Sequence, residues 1–206
     1  MILHHLVVGA IATNCYVVGC GETGRAAVID PGDEADQILM VCAKSKLTIT
    51  AIVNTHGHVD HVGGNRRLKE VTKAPLLIHA ADAPMLDHVS EIGRMWGMRV
   101  ENSPPPDRTI VEGEKIEVGN LSLKVLETPG HSLGGVSLLC GDAVFVGDTL
   151  FAGSIGRTDL PGGSYNQLLE SVRKKLFTLP DTVKVYPGHG PETTIGEERR
   201  YNPFFN

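Results

Sequence analysis

Apolar positions along this chain recur in two rhythms, and the switches between them mark its elements. Residues 3–8, 15–18 and 25–29 are short runs rich in β-branched residues, separated by Gly and Asn turn signals, and predict three strands. The rhythm then lengthens: Ile38, Leu39, Val41 and Cys42 form one apolar helical face behind Asp33, which is placed to cap the helix. Residues 47–53 predict a strand that runs straight into Thr55-His-Gly-His-Val-Asp-His61. A second helix opens at Val62-Gly-Gly and continues through residues 66–71, and residues 76–78 read as a buried strand. Residues 80–98 predict partial helix, with the single Trp96 near its end, and Ser103-Pro-Pro-Pro106 predicts a rigid loop. Strands resume at 109–111, 115–118, 121–126, 136–139 and 143–146. Ser164 and Gln167 make a capping box ahead of Leu168, Leu169, Val172 and Leu176 on one helical face. Residues 183–186 predict a last strand and 193–201 a terminal helix. Strands followed by helix, twice over, predict an α/β fold of two packed sheets with helices on the outer faces.

Composition narrows the function. With 206 residues and 41% hydrophobic content, the chain can bury the core of one domain spanning 1–206. The proline run marks no boundary, because residues with metal-binding side chains lie on both sides of it. A formal net charge of −5 argues against nucleic-acid and anionic-membrane partners, which need a concentrated basic surface. The pairs Arg66-Arg67, Lys174-Lys175 and Arg199-Arg200 lie near acidic residues and read as solvated helix faces. The N-terminus carries no basic leader, and no apolar stretch is long enough to cross a bilayer, so a cytoplasmic protein is expected. Cys15, Cys20, Cys42 and Cys140 show no Cys-x-x-Cys spacing and are expected to be buried free thiols.

The chemistry is concentrated in five histidines and two aspartates. His56 and His58 stand two apart in a glycine-relaxed loop, a spacing that can aim both imidazoles at one ion. Asp60 and His61 begin the following helix and can face a second ion. His131, Asp148 and His189 each occupy their own turn-rich setting, in Thr-Pro-Gly-His131, Val-Gly-Asp148-Thr and Tyr-Pro-Gly-His189-Gly. Imidazole and carboxylate are ligands of zinc, iron and manganese, and two such ions side by side hydrolyse difficult bonds. Asp30, in Val-Ile-Asp30-Pro-Gly, either accepts a hydrogen bond from a ligand imidazole or simply starts a turn. Thr55 and Thr149 adjoin ligands and shape their turns. His4, His5, His79 and His88 lack partners at useful spacing, and a structural role is expected for His79.

These residues resemble the metallo-β-lactamase superfamily along essentially the whole chain. Within it, Gly147-Asp-Thr-Leu-Phe-Ala-Gly-Ser-Ile-Gly-Arg-Thr-Asp-Leu-Pro-Gly-Gly163 and Tyr186-Pro-Gly-His-Gly-Pro191 resemble the glyoxalase II-like branch, in particular its short bacterial members. The resemblance implies a four-layer αββα sandwich with two divalent ions at one edge, zinc foremost and iron or manganese as alternatives. It implies His56, His58 and His131 on one ion, Asp60, His61 and His189 on the other, and Asp148 on both. A shared water, activated as hydroxide between ions about 3.5 Å apart, would attack a thioester carbonyl. Asp60 and Asp148 are the expected catalytic carboxylates, Asp60 chiefly as a ligand, and S-D-lactoylglutathione or a related hydroxyacyl thioester is the expected substrate.

The resemblance also sets limits. Arg157 stands where the glutathione-thioester hydrolases carry a basic substrate contact, yet an internal pair with Asp159 is an equal reading. Longer members add a C-terminal helical domain that binds glutathione, which residues 1–206 are expected to lack. Pro191 stands in place of the branch's tyrosine, and Gly57 in place of a third histidine that is no ligand. The main rival is a persulfide dioxygenase with one iron on His56, His131 and Asp148, since that group shares a Gly-Arg-Thr-Asp segment. A β-lactamase, a nuclease and a non-catalytic metal-binding protein are weaker alternatives. The sequence does not set the oligomeric state.

Overall fold

The computed structural model describes residues 1–206. Its first half contains β1 (Ile2–Val8), β2 (Thr13–Gly19), β3 (Arg25–Ile29), α1 (Ala35–Lys44), β4 (Thr48–Val53), α2 (Val59–Val62), α3 (Asn65–Thr72) and β5 (Leu76–His79). A 3₁₀ segment (Ala83–His88), α4 (Val89–Met95) and β6 (Arg108–Ile110) follow. The second half contains β7 (Lys115–Val118), β8 (Leu121–Glu127), β9 (Val136–Cys140), β10 (Ala143–Gly147), β11 (Leu150–Phe151) and β12 (Ser154–Ile155). It ends with α5 (Tyr165–Ser171), a π-helical continuation (Val172–Leu176), β13 (Lys184–Pro187), β14 (Thr193–Thr194) and α6 (Ile195–Tyr201).

The strands form two mixed sheets of six, ordered β1-β2-β3-β4-β5-β6 and β14-β13-β10-β9-β8-β7. Alternation of side chains along each strand explains how the sheets stack. One face of the first sheet, with Tyr16, Val18, Ala27, Ile29 and Val53, packs on Leu123, Val125, Leu138 and Phe145 of the second. Its opposite face, with Val17, Val28, Ile52 and Ile78, buries Ile38 and Cys42 of α1, Leu68 of α3 and Val89 of α4. The outer face of the second sheet covers Val144, Val146 and Val185 with Val172, Leu176 and Ile195. Helix, sheet, sheet, helix is therefore the layer order, as the alternation of strand and helix patterns predicts. All seven residues of β2 are buried, which is why this strand reads as continuously apolar apart from its first two positions.

Local corrections have physical causes. Asp33 does not cap α1: its carboxylate accepts the Glu34 N–H at 2.6 Å, while Glu34 takes the left-handed conformation before the helix. The helix predicted from Val62 is two helices. A Cβ at Gly63 would stand 2.3 Å from the Gly32 carbonyl, and the Gly64 N–H donates to Pro31 at 2.7 Å, so the chain is pinned between them. Residues 193–194 pair with β13 instead of starting the terminal helix, and Thr194 caps α6. The hairpin β11–β12 has only two residues per strand, too few to leave a periodic signal. All four cysteines are buried and unpaired, and no helix is long and apolar enough to cross a membrane.

Candidate metal centre

The seven residues come from segments beyond the C-terminal ends of four strands. His56 and His58 lie in the loop after β4, Asp60 and His61 on α2, His131 after β8, Asp148 after β10 and His189 after β13. The structure brings all seven together. Ligand atoms of His56, His58 and His131 form one cluster, and those of Asp60, His61 and His189 a second, each within 4.8 Å. Asp148 spans the two: Oδ1 lies 3.4 Å from His61 Nε2, while Oδ2 lies 3.6 Å from His131 Nε2 and 3.7 Å from His189 Nε2. Asp60 Oδ2 lies 3.1 Å from His189 Nε2 and 3.4 Å from His61 Nε2.

Hydrogen bonds behind the imidazoles determine which nitrogens face inward. Asp30 accepts the Thr55 N–H at 2.7 Å and the Thr55 hydroxyl at 2.6 Å. Because a carboxylate only accepts, the Thr55 hydroxyl is committed as donor, and its oxygen receives the His56 Nδ1–H at 3.0 Å. Asp30 also accepts from His61 Nδ1 at 3.1 Å. His131 Nδ1 donates to the Arg157 carbonyl at 2.8 Å, and His189 Nδ1 to the Ala12 carbonyl at 3.3 Å. Four rings thus turn Nε2 toward the centre. His58 is turned over, with Nδ1 2.8 Å from His131 Nε2.

The donor set fits divalent cations. His56 Nε2, His61 Nε2 and Asp148 Oδ1 are buried without a hydrogen-bond partner, an arrangement that is costly unless a cation satisfies them. Titration behaviour agrees. Burial, joined by the neighbouring imidazoles, pushes His56 well below the ordinary histidine value and His58 down to about 4, so both are neutral donors at neutral pH. Burial opposes charge on His61 and His189 as well, but Asp60 and Asp148 outweigh it and raise both. Burial likewise opposes charge on Asp60 and Asp148, yet His61 and its neighbours hold both below the usual carboxylate range. A cation at the second cluster would take over the charge balance that protons supply, so binding there would compete with protonation.

Residues 8–189 match the model of the metallo-beta-lactamase superfamily. The chain belongs to this superfamily. The hydroxyacylglutathione hydrolase GloC of Haemophilus influenzae is 36% identical over 203 residues, covering 97% of this chain and 95% of that protein. The crystal structure of the B3 metallo-beta-lactamase BLEG-1 has a TM-score of 0.93 at 34% identity and covers 100% of both chains. TTHA1623, solved in a di-iron-bound form, has a TM-score of 0.90 at 39% identity, covering 98% of this chain and 99% of that one.

In this superfamily member, residues that sequence reasoning passed over hold the centre together. Thr13 donates to Asp60 Oδ2 at 3.1 Å. Asn14 donates to the Pro187 and Gly190 carbonyls at 2.9 Å each, and its own N–H reaches Gly188 at 2.7 Å, so β2 grips the loop carrying His189. A signal for both existed, since two polar residues open a strand that is otherwise apolar. Close approach explains one glycine: a Cβ at Gly188 would lie 2.2 Å from Asp148 Oδ1 and 2.7 Å from His61 Cε1.

Arg157 realises the internal pair. Its Nε and Nη2 each donate to Asp159 at 2.8 Å, and the guanidinium lies 5.9 Å from the Trp96 ring centroid. The remaining histidines stand apart: His4 meets Ser45, His5 meets Asn14, His79 pairs with Glu127 and His88 with Glu91. The basic pairs are spent on ion pairs too, Arg67 with Asp36, Lys174 with Glu170, and Arg199 and Arg200 with Asp181.

Proposed function

We propose that this chain is a two-metal hydrolase of thioesters, acting on S-D-lactoylglutathione or a related hydroxyacyl thioester. The observation that carries it is Asp148, whose two oxygens face imidazoles of both clusters from one carboxylate. His56, His58 and His131 would hold one ion, Asp60, His61 and His189 the other, and Asp148 both; zinc is the first expectation. Such a pair supplies an activated water near neutral pH and positive charge for a developing oxyanion. The 36% identity to the GloC hydrolase supports the substrate class.

The chain's own residues shape the rest. Asp60 and Asp148 are held ionised, so neither is a proton donor at neutral pH, and both act by binding and orienting. A thioester suits a centre without a general acid, because a thiolate with a pKa of about 8.5 leaves without protonation. Arg157 keeps Nη1 outside its Asp159 pair, which leaves a donor for a substrate carboxylate beside the His131 loop. Four buried, unpaired thiols suit a reducing cytoplasm.

Metal analysis of the purified protein, run with a substrate panel, tests the proposal. Two ions per chain and cleavage of S-D-lactoylglutathione are expected, and His58→Ala or Asp148→Ala should abolish turnover while circular dichroism is retained. Near-normal turnover in either variant would show the assignment to be wrong. Oxygen uptake with glutathione persulfide, or β-lactam opening without thioester cleavage, would replace it, and protein holding no metal would point to a non-catalytic member.

A further inference from the structure

Asp82 lies in the turn after β5 and is 1% exposed, yet no cation neutralises it; His79, three residues earlier, pairs with Glu127 instead. Its charge is held by two backbone donors. The Gly57 N–H reaches Oδ2 at 3.0 Å, and the Gly134 N–H reaches Oδ1 at 2.6 Å. Gly57 stands between His56 and His58, and Gly134 three residues beyond His131. One carboxylate therefore ties together the two loops that supply the first imidazole cluster. The loops close on it so tightly that a side chain at either glycine would force a neighbour to shift. A Cβ at Gly57 would lie 2.9 Å from the Asp82 carbonyl, and one at Gly134 would lie 2.8 Å from the Asp82 nitrogen.

We infer that Asp82 is a positioning residue that fixes His56 and His58 against His131, and so sets cation affinity at that cluster without touching the ion. The inference rests on the two-metal reading of the site. The second cluster has support that does not pass through Asp82, from Thr13, Asn14 and the Asp30 that it shares with His56, so the effect of Asp82 is local to the first.

The test is a Co(II) titration of metal-free protein, read by visible absorption and chelator competition. His58→Ala and His189→Ala assign the two binding steps to the first and second clusters. In Asp82→Asn and Asp82→Ala, the first step should weaken about 10- to 100-fold, the range for lost support behind a ligand. The second step should stay within about twofold, and Asp82→Asn should lose less, because it keeps one acceptor. Wild-type behaviour at both steps, equal weakening of both, or failure of both variants to fold would overturn the inference. If the wild type takes up fewer than two ions, or His58→Ala removes no step, the reading of the site fails first and takes this inference with it.

Discussion

Asp30 shows how much one residue organises here. It is a non-glycine residue at φ 50°, a conformation that costs energy and persists only where surroundings enforce it. From that position it accepts three hydrogen bonds and fixes, directly or through Thr55, the inward nitrogens of His61 and His56. Asp30→Ala should therefore weaken metal retention roughly 10- to 100-fold, measured by chelator competition, while the seven inward-facing residues stay unchanged. From sequence, Asp30 had two equal readings because its left-handed backbone and its tie to Thr55 are tertiary facts. The buried histidines carry a second consequence. Below about pH 6.5 the unfolded chain protonates His56 and His58, whereas burial keeps the folded His58 neutral down to about 4. His61 and His189, raised in the fold, are charged in both states over that window and do not offset it. The metal-free protein should thus lose stability from pH 6.5 toward 4, by up to about 1.4 kcal/mol per pH unit for each group. Urea melts at several pH values check this, and His58→Gln should flatten the slope.

At the level of elements, the strands were the most legible part, because short apolar runs rich in β-branched residues follow from strands buried on both faces. The helices were placed well where an apolar stripe faces the sheet, as at Ile38 and Cys42. Less legible were the break at Gly63–Gly64 that separates α2 from α3, set by contacts with Pro31 and Gly32, and the hairpin β11–β12, with two residues per strand. The seven site residues stood out in sequence as residue types in Gly-flanked turns, whereas the grip of β2 on the His189 loop did not. That grip gives an element-scale expectation. Asn14→Ala leaves the Pro187 carbonyl with the Tyr16 hydroxyl at 2.8 Å but takes the side-chain partner from Gly190. It should cost about 1–3 kcal/mol of stability in denaturant melts of metal-free protein. It should also loosen the second metal step more than the first.

On the scale of the whole molecule, two sheets packed face to face bring the segments after β4, β8, β10 and β13 to one edge. Neither sheet could build the centre alone. The first supplies His56, His58, Asp60 and His61, and the second supplies His131, Asp148 and His189. The join is direct, since the Val136 N–H of β9 donates to the Thr55 carbonyl at 2.8 Å beside His56. Membership of the superfamily follows from the match over residues 8–189, whereas the proposed substrate contact rests on single exposed residues such as Arg157. Those residues carry no periodic pattern, so the substrate is less legible than the chemistry.

Anomalous X-ray diffraction from crystals of the purified protein, collected at the absorption edge of its metal, tests the central assignment most directly. Two peaks are predicted, one among His56, His58 and His131 and one among Asp60, His61 and His189, with Asp148 contacting both. A single peak, or two peaks of which one lies outside these clusters, would contradict it.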